Sequence, residues 1–154
     1  MKILVLNAGS SSLKYQVIEM PSQQVKCVGL IERIGFTDAI FTHEKNDDKS
    51  TEVLPIVTHK DGLKKISKTL LDHKLGVLQT VDEIKAVGHR VVHGGSKFAK
   101  PTIVTQEVKD SIRSLFDLAP LHNPANLTGI EIAETIFTSA KQIAIFDTAF
   151  HQTM

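Results

Sequence analysis

The hydrophobic period of this chain first changes near Thr58, from that of strands to that of a helix, and the change points to folds that layer helices on a sheet. Ahead of Thr58 lie five strand-length runs: KILVL, LKYQVIEM with Leu13, Tyr15 and Val17 alternating, VKCVGLIERI, AIFTH and EVLPIV. Turn-forming NAGSSS and PSQQ punctuate the first three. The charged stretch EKNDDKS, between the last two, reads as a solvated hairpin tip. Beyond Thr58, Leu63, Ile66, Leu70 and Leu71 recur at helical spacing behind Thr58 and Asp61, which resemble a capping box.

The second half alternates helix and strand. AVGHRVVHG returns to strand. Thr105 is placed to cap a helix that shows Val108, Ile112, Leu115 and Phe116 on one face and stops near Pro120. Asn123 as N-cap with Pro124 at the first helical position starts another, striped by Leu127, Ile130, Ala133, Ile136 and Phe137. QIAIFDT is short and apolar, as a central strand covered on both faces would be. A three-strand meander, an extended β section, then helix, strand, helices and strand predict α/β with a mixed sheet. At 154 residues the chain is long enough for one domain with a core. No closing helix follows QIAIFDT before Met154, so the expectation is a domain that continues in a longer protein.

Charge narrows the partners. Lys and Arg number 18 against 17 Asp and Glu, a net charge of +1. A nucleic-acid or membrane-surface protein would usually carry a basic excess, so neither partner is expected. The single cysteine, Cys27, permits no internal disulfide and fits a reducing compartment. The opening MKILVLNAGS is too short an apolar run for a signal peptide or a membrane span. A cytoplasmic protein is expected.

Ligands of open α/β sheets bind beyond the carboxyl ends of the strands. Three apolar strands end in polar residues that a core does not need: Asn7 after KILVL, Arg90 in AVGHRVV and Asp147 after QIAIF. In NAGSSSLK, Gly9 lets the backbone approach a ligand, Ser10, Ser11 and Ser12 offer hydroxyls, and Lys14 offers a point charge for phosphate. The Asn7 amide oxygen could face a metal ion or its water shell. The spacing is not that of a Walker A loop, and a strand rather than a helix follows. The stretch reads as a phosphate-handling hairpin, although a ligand-free polar turn has the same composition.

In GHRVVHGG, strand alternation puts Arg90 and Val92 on one face and His89, Val91 and His93 on the other. On a strand His89 and His93 stand about 13 Å apart, too far to share a metal. Arg90 beside Val92 suits a carboxylate with a methyl group, or else Arg90 pairs with a core carboxylate. Leu121 and His122 precede a helix N-terminus, which suits an anion, while a packing or capping histidine fits equally there. Asp147, ending a buried strand, is costly unless paired or functional; it could also cap a turn. His43, His59, His73 and His151 form no usable pattern. No G-x-S-x-G elbow supports a hydrolase.

ILVLNAGSSSLKY resembles the N-terminal signature of the acetate kinase family, which includes propionate and butyrate kinases. AVGHRVVHGG resembles its second signature, and LAPLHNPAN and FDTAFHQTM resemble further blocks in the same order, so the resemblance runs from Lys2 to Met154. It implies a ribonuclease H-like domain of the actin and sugar kinase superfamily, here residues 1–154 of a two-domain protein whose C-terminal domain lies outside this chain. It implies reversible transfer of the ATP γ-phosphate to acetate, with Mg²⁺, by an enzyme that is typically a homodimer. By matching position, Asn7 would help place Mg²⁺. Ser10, Ser12 and Lys14 would lie near the ATP phosphates. Arg90 would bind the acetate carboxylate or the transferring phosphoryl group, and Val92 and Leu121 would line the methyl pocket. Asp147 would be the catalytic carboxylate and His122 a secondary residue near the site. The family's other site residues come from its C-terminal domain, so these 154 residues alone are expected to be inactive. Three other readings remain: a propionate kinase, a noncatalytic nucleotide- or phosphate-binding module, and an acyl phosphate hydrolase.

Overall fold

The computed structural model describes residues 1–91, 101–114 and 123–146. Five antiparallel strands open the fold: β1 (Lys2–Ala8), β2 (Leu13–Glu19), β3 (Gln24–Glu32), β4 (Phe36–Lys45) and β5 (Asp48–Ile56). Helix α1 (His59–Leu70) and a 3₁₀ turn (Val81–Glu83) lead into β6 (Ile84–Val91), which pairs parallel with β1. Then come the short β7 (Thr102–Ile103), α2 (Gln106–Ser114), α3 (Asn123–Ile136) and β8 (Lys141–Phe146). β8 pairs parallel with β6 and antiparallel with β7. The sheet order is β5-β4-β3-β2-β1-β6-β8-β7, a mixed α/β sheet as expected.

Period decides which face is buried. Leu4, Leu6 and Ala8 of β1 alternate inward with Leu13, Tyr15 and Val17 of β2 and with Cys27 and Ile31 of β3. Leu63, Ile66 and Leu70 of α1, and Ala133 and Phe137 at the end of α3, close on them in one cluster. Each large aliphatic side chain buried there contributes roughly 1.5–3 kcal/mol. At the α1 N-terminus half of the expected capping box forms: Thr58 is the N-cap and the Asp61 N–H donates to Thr58 Oγ1 at 3.1 Å, without the return bond from the Thr58 N–H to the Asp61 carboxylate. Thr105 likewise accepts from the Val108 N–H at the start of α2. A second cluster joins α2 to α3 through Val108, Ile112, Leu127 and Ile130, over Val91 and Ala144. Leu115 and Phe116 lie outside the described residues.

EKNDDKS is the hairpin tip expected of it, and β4 and β5 run further into it than hydropathy shows: Glu44 lies opposite Lys49 and Lys45 opposite Asp48, leaving exposed Asn46 and Asp47 as the turn. Asn46 takes the positive φ of 57° that asparagine tolerates, and the Lys45 ammonium ties the hairpin to the Gly76 carbonyl at 2.8 Å. Among the described residues, helices cover QIAIF on one face, where the sequence predicts cover on both. Gln142 and Ala144 are buried under the helices, whereas Ile143 and Ile145 are half-buried on the other side, where no helix packs among the described residues.

Candidate active site

β1, β6 and β8 are adjacent and parallel, so their carboxyl ends share one edge of the sheet. Register places the side chains there. Leu6 pairs with His89 and faces the helices, so the next residue on each strand, Asn7 and Arg90, faces the open side. Lys14 is the cross-strand partner of Asn7 and lies on that same side. Together with Val5, Gln16 and Val28, these three line a cleft of about 250 Å³. An amide, an ammonium and a guanidinium over an apolar floor suit an anionic ligand with a small apolar part.

The hairpin tip between β1 and β2 carries Ser10 and Ser11, both exposed, and Ser12, half-buried. A Cβ at Gly9 would sit 2.6 Å from Ser12 Oγ, so any larger residue there would turn the Ser12 hydroxyl away. The tip is fixed from three sides. The Ile34 N–H, from the β3–β4 turn, donates to the Ser11 carbonyl at 2.9 Å. The buried Asn126 side chain on α3 donates to the Ala8 carbonyl at 2.9 Å. His59 Nε2–H, at the start of α1, donates to the Gly9 carbonyl at 2.6 Å. Sequence reading missed His59 and Asn126, because each acts on the hairpin from a residue tens of positions away. Ser10, Ser12, Lys14, Asn7 and Arg90 are thus gathered at one end of the sheet. Val92, Leu121, His122 and Asp147, together with His93, lie outside the described residues.

Behind the site, two histidines face the core. His89 Nε2–H donates to Gln142 Oε1 at 2.6 Å, and burial lowers its pKa to about 4. His43 is likewise lowered by burial; its Nε2–H donates to the Leu75 carbonyl at 2.8 Å and its Nδ1 accepts from the Tyr15 hydroxyl at 2.5 Å. Neither ring faces the cleft, so both are structural. Among the described residues, no group of three His, Cys, Asp or Glu could hold a metal, and no helix is long and apolar enough to cross a membrane.

The acetokinase family model matches residues 2–154. Acetate kinase of Flavobacterium johnsoniae is 56% identical over 154 residues, which are 100% of this chain and 39% of that protein. The Symbiobacterium thermophilum acetate kinase is 54% identical with the same coverage. Among solved structures, Porphyromonas gingivalis acetate kinase superposes with a TM-score of 0.93 at 40% identity, covering 99% of this chain and 39% of that one. A Francisella tularensis propionate kinase superposes with a TM-score of 0.87 at 38% identity, covering 99% and 38%. The chain therefore spans about two-fifths of the length of the relatives it matches.

Proposed function

The chain belongs to the acetokinase family, and from that premise we propose that the intact protein is an acetate kinase, transferring the γ-phosphoryl group of ATP reversibly to acetate. The observation that carries this reading is the cleft in which Asn7, Lys14 and Arg90 meet at the carboxyl ends of β1 and β6, beside the Ser10–Ser12 hairpin. One acetate oxygen forms a bond to the γ-phosphorus while the bond from that phosphorus to the β–γ bridging oxygen breaks, leaving ADP and acetyl phosphate. Catalysis of such a transfer is mostly positioning and charge neutralisation.

The residues divide that work. Lys14 and the Ser10 and Ser12 hydroxyls hold nucleotide phosphates. Arg90 holds the acetate carboxylate and then the equatorial oxygens of the group in flight. Val92 and Leu121 receive the methyl group, His122 stands beside the anion, and Asp147 orients the attacking carboxylate. Mg²⁺ fits this donor set only as an ion carried in on the nucleotide, because Asn7 supplies one neutral oxygen and Mg²⁺ keeps much of its water shell. It would neutralise charge on the phosphates, with Asn7 and Asp147 facing it or its waters.

Residues 1–154 form the first of two domains. The second domain supplies the base pocket and the remaining charges, so these 154 residues alone do not turn over. The intact protein acts as a cytoplasmic homodimer. A preference for propionate is the alternative that the propionate kinase likeness supports. Hydroxylamine trapping of acyl phosphate, with ATP and either acid, tests both readings in the intact protein. Acetate should give the higher kcat/KM. No acyl hydroxamate above the blank would overturn the kinase reading, and a reversed preference would overturn acetate.

A further inference from the structure

A closed two-residue hairpin has two hydrogen bonds between the residues flanking its turn. Gly9 and Ser12 make only one. The Gly9 N–H donates to the Ser12 carbonyl at 2.9 Å, but the return bond, from the Ser12 N–H to the Gly9 carbonyl, is missing. His59 takes that carbonyl instead, at 2.6 Å. The exchange has two geometric effects. It leaves the Ser12 N–H without a partner among the described residues. It also fixes the peptide joining Gly9 to Ser10, and in a trans peptide the N–H points opposite to the C=O. The Gly9 carbonyl points at α1, which packs on the Leu13 and Tyr15 side of the sheet. The Ser10 N–H is thereby turned toward the opposite side, which carries Asn7, Lys14 and Arg90. Asn126 also holds the preceding peptide, through the Ala8 carbonyl.

We infer that His59 is a positioning residue for nucleotide phosphate. By occupying the Gly9 carbonyl, it keeps the hairpin open and directs main-chain N–H groups of the NAGSSS tip at the anion. Successive N–H groups turned outward in a bend form the kind of concavity that binds phosphate. Thr58 caps α1 independently, through Asp61, so the position of His59 does not depend on the ring's bond to Gly9. Glutamine at 59 retains an N–H donor at the end of its side chain; leucine and alanine do not. This inference rests on the reading of the hairpin as a nucleotide phosphate site.

The test uses the intact protein with His59→Ala, His59→Leu and His59→Gln, assayed at a temperature where circular dichroism shows all of them folded. His59→Ala and His59→Leu should raise the KM for ATP by roughly tenfold, the equivalent of one hydrogen bond, with the KM for acetate changed by less than about twofold. His59→Gln should recover most of the loss. Parallel rises in both KM values, no change in either, or a glutamine variant no better than leucine would overturn the inference. Calorimetric binding of ADP to the same proteins needs no turnover. If wild type binds ADP but makes no acetyl phosphate, the kinase reading fails while the ratio of ADP affinities still decides the role of His59. Wild type that does not bind ADP overturns both.

Discussion

Tyr15 lies directly across Gly29, its registered partner on β3, and fills the space in which a side chain at 29 would stand. The ring is held there, because its hydroxyl donates to His43 Nδ1 and the His43 ring stacks on it with centroids 5.9 Å apart. Gly29 is therefore a steric requirement rather than a conformational one. Gly29→Ala should cost about 3 kcal/mol, the upper range for overpacking a filled core. Tyr15→Leu in the same chain should return part of that loss, since the added methyl then has room. Urea denaturation of the single and double variants gives the coupling; additive losses would mean that the ring moves freely.

Cys27 sits beneath that ring, buried on the helix face of β3. Burial raises its thiol pKa to about 11, so little thiolate exists at neutral pH. Alkylation by iodoacetamide at pH 8 should be slow in the folded chain and should accelerate in step with unfolding as urea is added. Rapid labelling in the absence of denaturant would show that the β3–α1 packing opens locally.

How much of this was legible in the sequence depends on the range over which each signal acts. The Thr58 cap, the alternation of β1 and β2, and the α3 stripe are set by neighbours within a few residues, and each appears where the pattern puts it. The Asn7, Lys14 and Arg90 constellation was partly legible, because strand ends in a parallel sheet share an edge and alternation then fixes the face. The hairpin tip at EKNDDKS was legible, but the extension of β4 and β5 up to Asn46 and Asp47 was not, because charged residues join a ladder only once register is known. His59 and Asn126 left no local trace. Their bonds to the hairpin span 50 and 118 residues, and a histidine in the first turn of a helix looks the same with or without such a partner.

Two buried histidines set a pH dependence of stability. Burial lowers His89 to about 4 and also lowers His43. An unfolded chain protonates both near 6.5, while the folded chain resists, so the unfolded state takes up protons first as pH falls. The stability contributed by keeping these rings neutral is fully present above about 6.5 and is lost as pH drops below it, for His89 down to about 4 at up to about 1.4 kcal/mol per pH unit, with His43 acting in the same direction. Glu83, held down to about 2 by the Thr80 N–H and then by Lys2, titrates below this window. Urea midpoints measured from pH 7.5 to 4.5 should fall with a slope that His89→Gln reduces. A flat profile over that range would mean that water reaches both rings.

Arg90 and Asp147 should separate ground-state binding from catalysis in the intact protein. Arg90 faces the cleft from the end of β6, where a guanidinium can hold a carboxylate through two N–H groups and the same fork can hold a phosphoryl group in flight. Arg90→Ala removes a charge-assisted contact from both states. It should raise the KM for acetate and lower kcat together, with kcat/KM falling by roughly 10²- to 10³-fold. Arg90→Lys keeps the charge and loses the fork, so it should restore only part of that. Asp147 follows β8, the strand beside β6, and is proposed to orient the attacking oxygen, a role that grows toward the transition state. Asp147→Asn preserves shape and removes charge, so kcat should fall by roughly 10²-fold or more while the acetate KM stays within about twofold. Circular dichroism should show both variants folded, because neither change removes apolar core. An unfolded Asp147→Asn protein, together with unchanged acetate kinetics for Arg90→Ala, would instead give both residues structural roles and remove both from the chemistry.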